Sequence, residues 1–194
     1  LENINLLITK GMPIGIIGKS GSGKTTLVDL SLGLIAPTSG HILINDKDKD
    51  LSAFLPKIGY VTQNINLIND TVIKNIAYGI DEKKIDNKKV KSLLIDLDLN
   101  NLLQGLDKNI TNLIGEKGSK LSGGQLQRIA IARALYFEPE ILILDEATSS
   151  LDVETEKKIL KLIKKYLLQS LTIIISHKKD ALKYCSTIYK IVDK

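Results

Sequence analysis

The feature that most constrains this chain is Gly18-Lys-Ser-Gly-Ser-Gly-Lys24-Thr25, an unbroken G-x-x-x-x-G-K-[ST] pattern. It sits between an apolar run, Pro13 to Ile17, and a helix-forming stretch, Lys24 to Leu34. Gly18, Gly21 and Gly23 permit a tight turn whose backbone N–H groups converge, and a helix opening at Lys24 aims its partial positive end at the same place. Such a concave set of N–H groups takes an anion. Lys24 adds a full positive charge suited to β- and γ-phosphates, and Thr25 a hydroxyl suited to Mg²⁺. Ser20, Ser22 and Thr26 complete the polar lining of the turn. A Gly-rich turn between strand and helix that bound nothing would need neither the lysine nor the hydroxyl.

The remaining sequence agrees with a layered α/β domain. Short apolar runs, Ile58 to Val61, Ile141 to Leu144 and Leu171 to Ile175, read as strands buried on both faces of a parallel sheet. Asn3 to Thr9 and His41 to Asn45 alternate in polarity, as half-exposed or edge strands do. Helices are predicted over Lys24 to Leu34, Thr71 to Tyr78, Lys83 to Leu97, Gly124 to Phe137, Glu154 to Leu168 and Lys178 to Tyr184. Leu67 to Leu106 lacks a strand pattern and reads as a helical insertion. With 194 residues, 43% hydrophobic and 25% charged, the chain can bury a full core without staples. One cysteine, Cys185, excludes an intrachain disulfide. No apolar run nears the roughly 20 residues of a membrane span, and Leu1, not Met, reads as the start of a segment from a longer protein. The net charge of +5 is carried almost wholly by lysine, with arginine only at Arg128 and Arg133. That is a solvated surface and not the arginine-rich face of a nucleic-acid reader, so no nucleic-acid partner is expected.

Ile141-Leu-Ile-Leu-Asp145-Glu146 carries two carboxylates to the end of a buried strand, the edge at which open α/β sheets bind ligands. Asp145 suits Mg²⁺ through water, and Glu146 suits a general base for water attacking a γ-phosphate. Neighbouring side chains on a strand face opposite ways, so the backbone must bend there for both to serve one site. Gln63, just past Ile58 to Val61, can orient water and ligate Mg²⁺; His177, after Thr172 to Ser176, can hydrogen-bond a γ-phosphate.

Leu121-Ser122-Gly123-Gly124-Gln125 precedes an amphipathic helix and forms a second anion-seeking helix start, with Ser122 adding a hydroxyl. With this pattern in place, the chain resembles the nucleotide-binding domain of the ATP-binding cassette (ABC) transporter family. The matching segments run in order: Gly18 to Thr25 (Walker A), Gln63 (Q-loop), Leu121 to Gln125 (signature), Ile141 to Glu146 (Walker B), Ser149 to Asp152 (D-loop) and His177 (H-loop).

The resemblance implies a P-loop NTPase three-layer domain with a mostly parallel sheet, an antiparallel β edge region and a helical subdomain. It implies one domain over 1–194, its α/β core at about 1–66 and 112–194 and its helical subdomain at about 67–130. It also implies ATP and Mg²⁺ as ligands, with Thr25, Gln63 and Asp145 on the metal and Glu146, His177 and Gln63 as the catalytic set. In a head-to-tail dimer, a homodimer for this chain, Ser122, Gly123, Gly124 and Gln125 of one copy would close over ATP held by the other, with Asp152 at the seam. Ile114-Gly-Glu-Lys-Gly118 and Asn69 to Gly79 resemble exporters and lipid-linked oligosaccharide flippases. Leu113 stands where that loop often has Glu. The exporter resemblance implies a membrane domain fused on the N-terminal side, work at the cytoplasmic face of a membrane, and an adenine-stacking aromatic upstream of Leu1. A rival reading is a non-transport ABC ATPase of translation or DNA repair; the interval from Thr25 to Leu121 cannot hold the long coiled coil of chromosome-organising relatives. A nucleotide-gated dimerisation module without turnover is the non-enzymatic rival, and retention of Glu146, Gln63 and His177 argues against it.

Overall fold

The computed structural model describes residues 1–44, 47–48, 57–103 and 113–192. In chain order the elements are β1 (Ile14–Ile17), α1 (Lys24–Ser31), β2 (Leu43–Ile44), β3 (Lys47–Asp48), β4 (Ile58–Val61), α2 (Val72–Ile76), α3 (Asn87–Asp96) and α4 (Asn100–Leu103). There follow α5 (Gly123–Tyr136), β5 (Ile141–Asp145), α6 (Val153–Leu167), β6 (Leu171–Ile175), α7 (Lys179–Leu182) and β7 (Thr187–Lys190). Five strands make one sheet in the order β4-β5-β6-β1-β7, every neighbouring pair parallel.

The strand sequences explain why helices cover both faces. Alternate residues of a strand point to opposite sides. In β5, Leu142 and Leu144 enter one core while Ile143 enters the other; in β6, Ile174 goes one way and Ile173 and Ile175 the other. The smaller core receives Ile14 and Ile16 of β1 together with Leu27, Val28 and Leu32 from α1 and its C-cap. The larger holds Ile129, Ile131 and Leu135 of α5, Ile159, Leu160 and Ile163 of α6, and Val90, Leu93 and Leu94 of α3. The result is three layers, helix on sheet on helix.

Helix starts are set by side-chain caps that accept otherwise orphaned N–H groups. Thr71 accepts from Lys74 N, Asp86 from Lys89 N, and Asp152 from Glu154 N and Thr155 N. In α6, Glu154 and Glu156 in the first turn and Lys164 and Lys165 in the last also complement the helix dipole.

Three expectations need correction. The five-stranded sheet has no antiparallel edge among the described residues: antiparallel pairing is confined to the separate β2–β3 pair and isolated bridges. Asn3 to Thr9 is not a strand. Its alternation is real, since Leu6 and Ile8 pack on the smaller core and Leu7 is exposed, but no described strand lies beside it to complete a ladder. Of His41 to Asn45 only Leu43–Ile44 is extended, and Asn45 lies outside the described residues. Conversely, β7 escaped the sequence reading because its mixed pattern, Thr-Ile-Tyr-Lys, resembles a surface segment. No strand occurs among the described residues between β4 and β5, and no described helix is long and apolar enough to cross a membrane.

Candidate functional site

Because the strands are parallel, their C-terminal ends share one edge. Gly18 to Gly23 leave β1 there, Gln63 leaves β4, Asp145 ends β5 with Glu146 behind it, and His177 follows β6. Sequence positions more than 150 residues apart thus meet along one rim.

The turn after β1 has the geometry its glycines predict. Gly21 and Gly23 take φ of +80° and +93°, a region costly for any residue with a Cβ, and Gly23 is the N-cap of α1. A Cβ on Gly18 would lie 2.5 Å from Ser22 Oγ and 3.0 Å from the Ile191 carbonyl. Lys24 Nζ donates to the carbonyls of Gly18 (2.8 Å) and Lys19 (2.7 Å), so its ammonium lies over the turn. Ser20, Thr25 and Thr26 are exposed, while Ser22 is buried.

Asp145 is 6% exposed. Burial first, then the charge of Glu146, raise its carboxyl above the usual range, and Lys24 pulls the other way. The first turn of α1 and the end of β5 are therefore in electrostatic contact. Tyr60 of β4 is pushed up to about 12, by burial first and then by Asp145 and Asp29. Glu146 has φ +51°, the backbone bend that two adjacent carboxylates on one strand require in order to share a site. Its Oε1 lies 3.7 Å from His177 Nε2, and His177 is mostly exposed. Gln63 is exposed at the same rim.

Among the described residues, two buried side-chain polar atoms have no hydrogen-bond partner, Ser22 Oγ and Glu146 Oε1. Both belong to this rim. Such atoms are costly unless something else satisfies them. The oxygens of Thr25, Gln63 and Asp145 suit a hard cation that takes few protein ligands and completes its shell with phosphate and water. No three described His, Cys, Asp or Glu side chains come together to hold a metal by themselves.

The Ser122–Gln125 segment begins α5 in a reciprocal capping box: Gln125 N donates to Ser122 Oγ (3.2 Å) and Ser122 N to Gln125 Oε1 (2.8 Å). Ser122 keeps its O–H free to donate elsewhere. The segment packs beside Ser150 and Leu151, which are the nearest neighbours of Gly123 and Gly124. Among the described residues no hydrogen bond or ion pair joins Ser122–Gln125 to the turn at Gly18–Thr26. Asp152 is engaged as the α6 cap, and its hydrogen bonds from Thr155 hold its carboxyl below the usual range.

Residues without a motif also shape the rim. Lys178 Nζ donates to the carbonyls of Thr148 (2.7 Å) and Leu151 (3.3 Å) and to Glu156 Oε2 (3.2 Å), while Thr148 Oγ1 donates to Glu156 Oε1 (2.7 Å). This ties the residue after His177 to the turn leading into α6. Gln127, buried on α5, bonds the turn that starts at Glu146. The signal for both was a polar side chain on an apolar helix face: Gln127 beside Ile131, and Glu156 beside Ile159 and Leu160.

Known proteins match this arrangement. The family described as ABC transporter matches residues 1–149. An ATP-dependent lipid A-core flippase of Cupriavidus metallidurans is 40% identical over 192 residues, covering 97% of this chain and 32% of the relative. A flippase of the same description from Syntrophus aciditrophicus is 40% identical over 195 residues, covering 99% and 32%. A bacterial Atm1-family ABC exporter solved with ATP bound superposes with a TM-score of 0.84 at 34% identity, covering 94% of this chain and 32% of that one. The chain thus spans about a third of the length of these relatives. With its phosphate turn, paired carboxylates and capped signature helix set out as above, the chain belongs to the ABC transporter family, as one of its ATP-binding ATPase domains.

Proposed function

We propose that this chain hydrolyses Mg·ATP to drive export, or flipping of a lipid-linked substrate, across a membrane at whose cytoplasmic face it works. The observation that carries this reading is the shared rim: Lys24 over the glycine turn, Asp145 within its field, and an unpartnered Glu146 carboxylate oxygen 3.7 Å from His177. The N–H groups of Gly18 to Thr26 and the ammonium of Lys24 take the phosphates. Thr25, Asp145 and Gln63 would hold Mg²⁺, which would supply Lewis-acid stabilisation of phosphate charge. Glu146 accepts a proton from the attacking water as its oxygen bonds to Pγ and the bond from Pγ to the bridging oxygen breaks, releasing ADP. His177 orients the water and the γ-phosphate.

Ser122 and Gly124, which among the described residues make no hydrogen bond to their own chain's glycine turn, serve ATP held by a second copy, with Gly123 and Gln125 framing the helix start and Asp152 at the seam. That division accounts for two half-sites in one chain. The membrane partner is a domain of the same transporter, fused on the N-terminal side, and the domain plan is a core at about 1–66 and 112–194 with a helical subdomain at about 67–130. The relatives' flippase and exporter descriptions support the transport reading over a role in translation or repair.

The test is Mg-ATPase activity and ATP-dependent dimerisation of Glu146→Gln. The variant is expected to bind ATP, lose most turnover and accumulate an ATP-bound dimer. Undiminished turnover would remove Glu146 from the base role.

A further inference from the structure

The side chain of Glu146 receives little guidance from its surroundings. Oε1 is buried without a hydrogen bond, and His177 at 3.7 Å is beyond hydrogen-bonding range. With no hydrogen bond to fix Oε1, the direction of this largely buried carboxylate depends on its packing and on its backbone, and that backbone is unusual. At φ +51° it occupies the left-handed region, which a residue with a Cβ keeps only when its neighbours hold it there. The N–H of Glu146 donates to the Ile175 carbonyl of β6 (2.9 Å). Its own carbonyl accepts from Ser149 N (3.0 Å) and from Gln127 Nε2 (3.1 Å).

Gln127 makes two more bonds to the same turn. Nε2 also donates to Ser149 Oγ (2.7 Å), and Oε1 accepts from Ser150 N (2.8 Å). The residue is 4% exposed and lies two positions beyond Gln125, in the first turns of the signature helix. Two donors and an acceptor on one side chain are needed here, and only an amide supplies both. Glutamate would lack the donors, methionine would lack everything, and asparagine would fall a methylene short.

We propose that Gln127 is a positioning residue for hydrolysis: it pins the left-handed turn at Glu146, and so the aim of the carboxylate, to the helix that begins at Ser122. Closure of a second copy on the signature is then transmitted within one chain to the group that activates water for that chain's own ATP. The inference rests on the reading of Glu146 as the base.

The experiment measures ATP affinity, KM, kcat and melting temperature for the chain and for Gln127→Met, Gln127→Asn and Glu146→Gln. The Met variant is expected to keep ATP affinity and KM within about twofold and to lose about 10–100-fold in kcat, the scale at which a misaligned group loses rate. A purely structural role would instead lower melting temperature and affinity with kcat per folded molecule unchanged, and that result overturns the proposal. Should Met at this buried site prevent folding, the Asn variant is judged by the same split. An impaired Glu146→Gln beside unimpaired Gln127 variants overturns this inference alone; an unimpaired Glu146→Gln overturns the base assignment, and this inference with it.

Discussion

Lys178→Met is the sharpest probe of how the rim is held. The ammonium has three N–H donors, and the structure uses all three, on Thr148 O, Leu151 O and Glu156 Oε2. The Glu156 side chain is 5% exposed and its remaining bond comes from the Thr148 hydroxyl. Replacing Lys178 by an apolar chain of similar length strands a buried carboxylate and two carbonyls at once. Breaking such a pair costs about 3–5 kcal/mol. Because the Lys178 side chain is 33% exposed, water can partly refill the site, and the lower end, about 3 kcal/mol, is expected. In a chain of this size that lowers the melting temperature by about 6–12 °C. Adding Glu156→Gln removes the stranded charge while keeping an acceptor for Thr148, so the double variant should recover most of the loss. Denaturant unfolding of the four proteins of this cycle gives the coupling directly, expected at about 2 kcal/mol. A single-variant loss below about 1 kcal/mol, or no recovery in the double, would show that the network does not bear on stability and refute the reasoning.

Other outcomes follow from the same geometry. Lys24→Ala should weaken ATP binding at least tenfold by titration, since it removes a full positive charge held over the glycine turn; unchanged affinity would contradict the cradle. Asp145→Asn should abolish Mg-dependent turnover yet raise the melting temperature at pH 7, because it removes a charge that burial first, and then Glu146, disfavours. The pH dependence has a definite sign. The folded-state pKa of Asp145 lies above its unfolded value, so ionisation destabilises the fold; the penalty is absent below the ordinary carboxylate pKa and complete above the raised one. The gain from Asn should therefore shrink as pH falls towards about 4. Cys185, whose thiol burial pushes up to about 11, should be alkylated at pH 8 about a hundredfold more slowly than a free thiol, as followed by mass spectrometry; comparable rates would mean that the thiol is not shielded.

Most of the rim was legible in the sequence because its chemistry is local. A glycine turn, its lysine and the helix that follows are contiguous, and their conformations, Gly23 at φ +93° as N-cap of α1, follow from the residues themselves. The signature likewise carries its own capping box. Strands buried on both faces announced themselves as all-apolar runs, and four of the five sheet strands were read from them. Where pattern and pairing part company, the reading failed. Asn3 to Thr9 alternates but has no described neighbour strand, and β7, mixed in composition, is a strand because β1 offers it an edge.

The sequence by itself determined which groups are available: a lysine at a glycine turn, two carboxylates after an apolar strand, a histidine after another, and helix starts able to take anions. Tertiary structure alone decided that these groups meet, because only a parallel sheet in the order β4-β5-β6-β1-β7 puts the ends of strands distant in sequence on one rim. It also decided what holds them. The left-handed turn at Glu146, its bond to Gln127, and the Lys178–Glu156 pair join residues 19 and 22 positions apart. A hydrogen bond between such residues depends on packing, which no local pattern encodes.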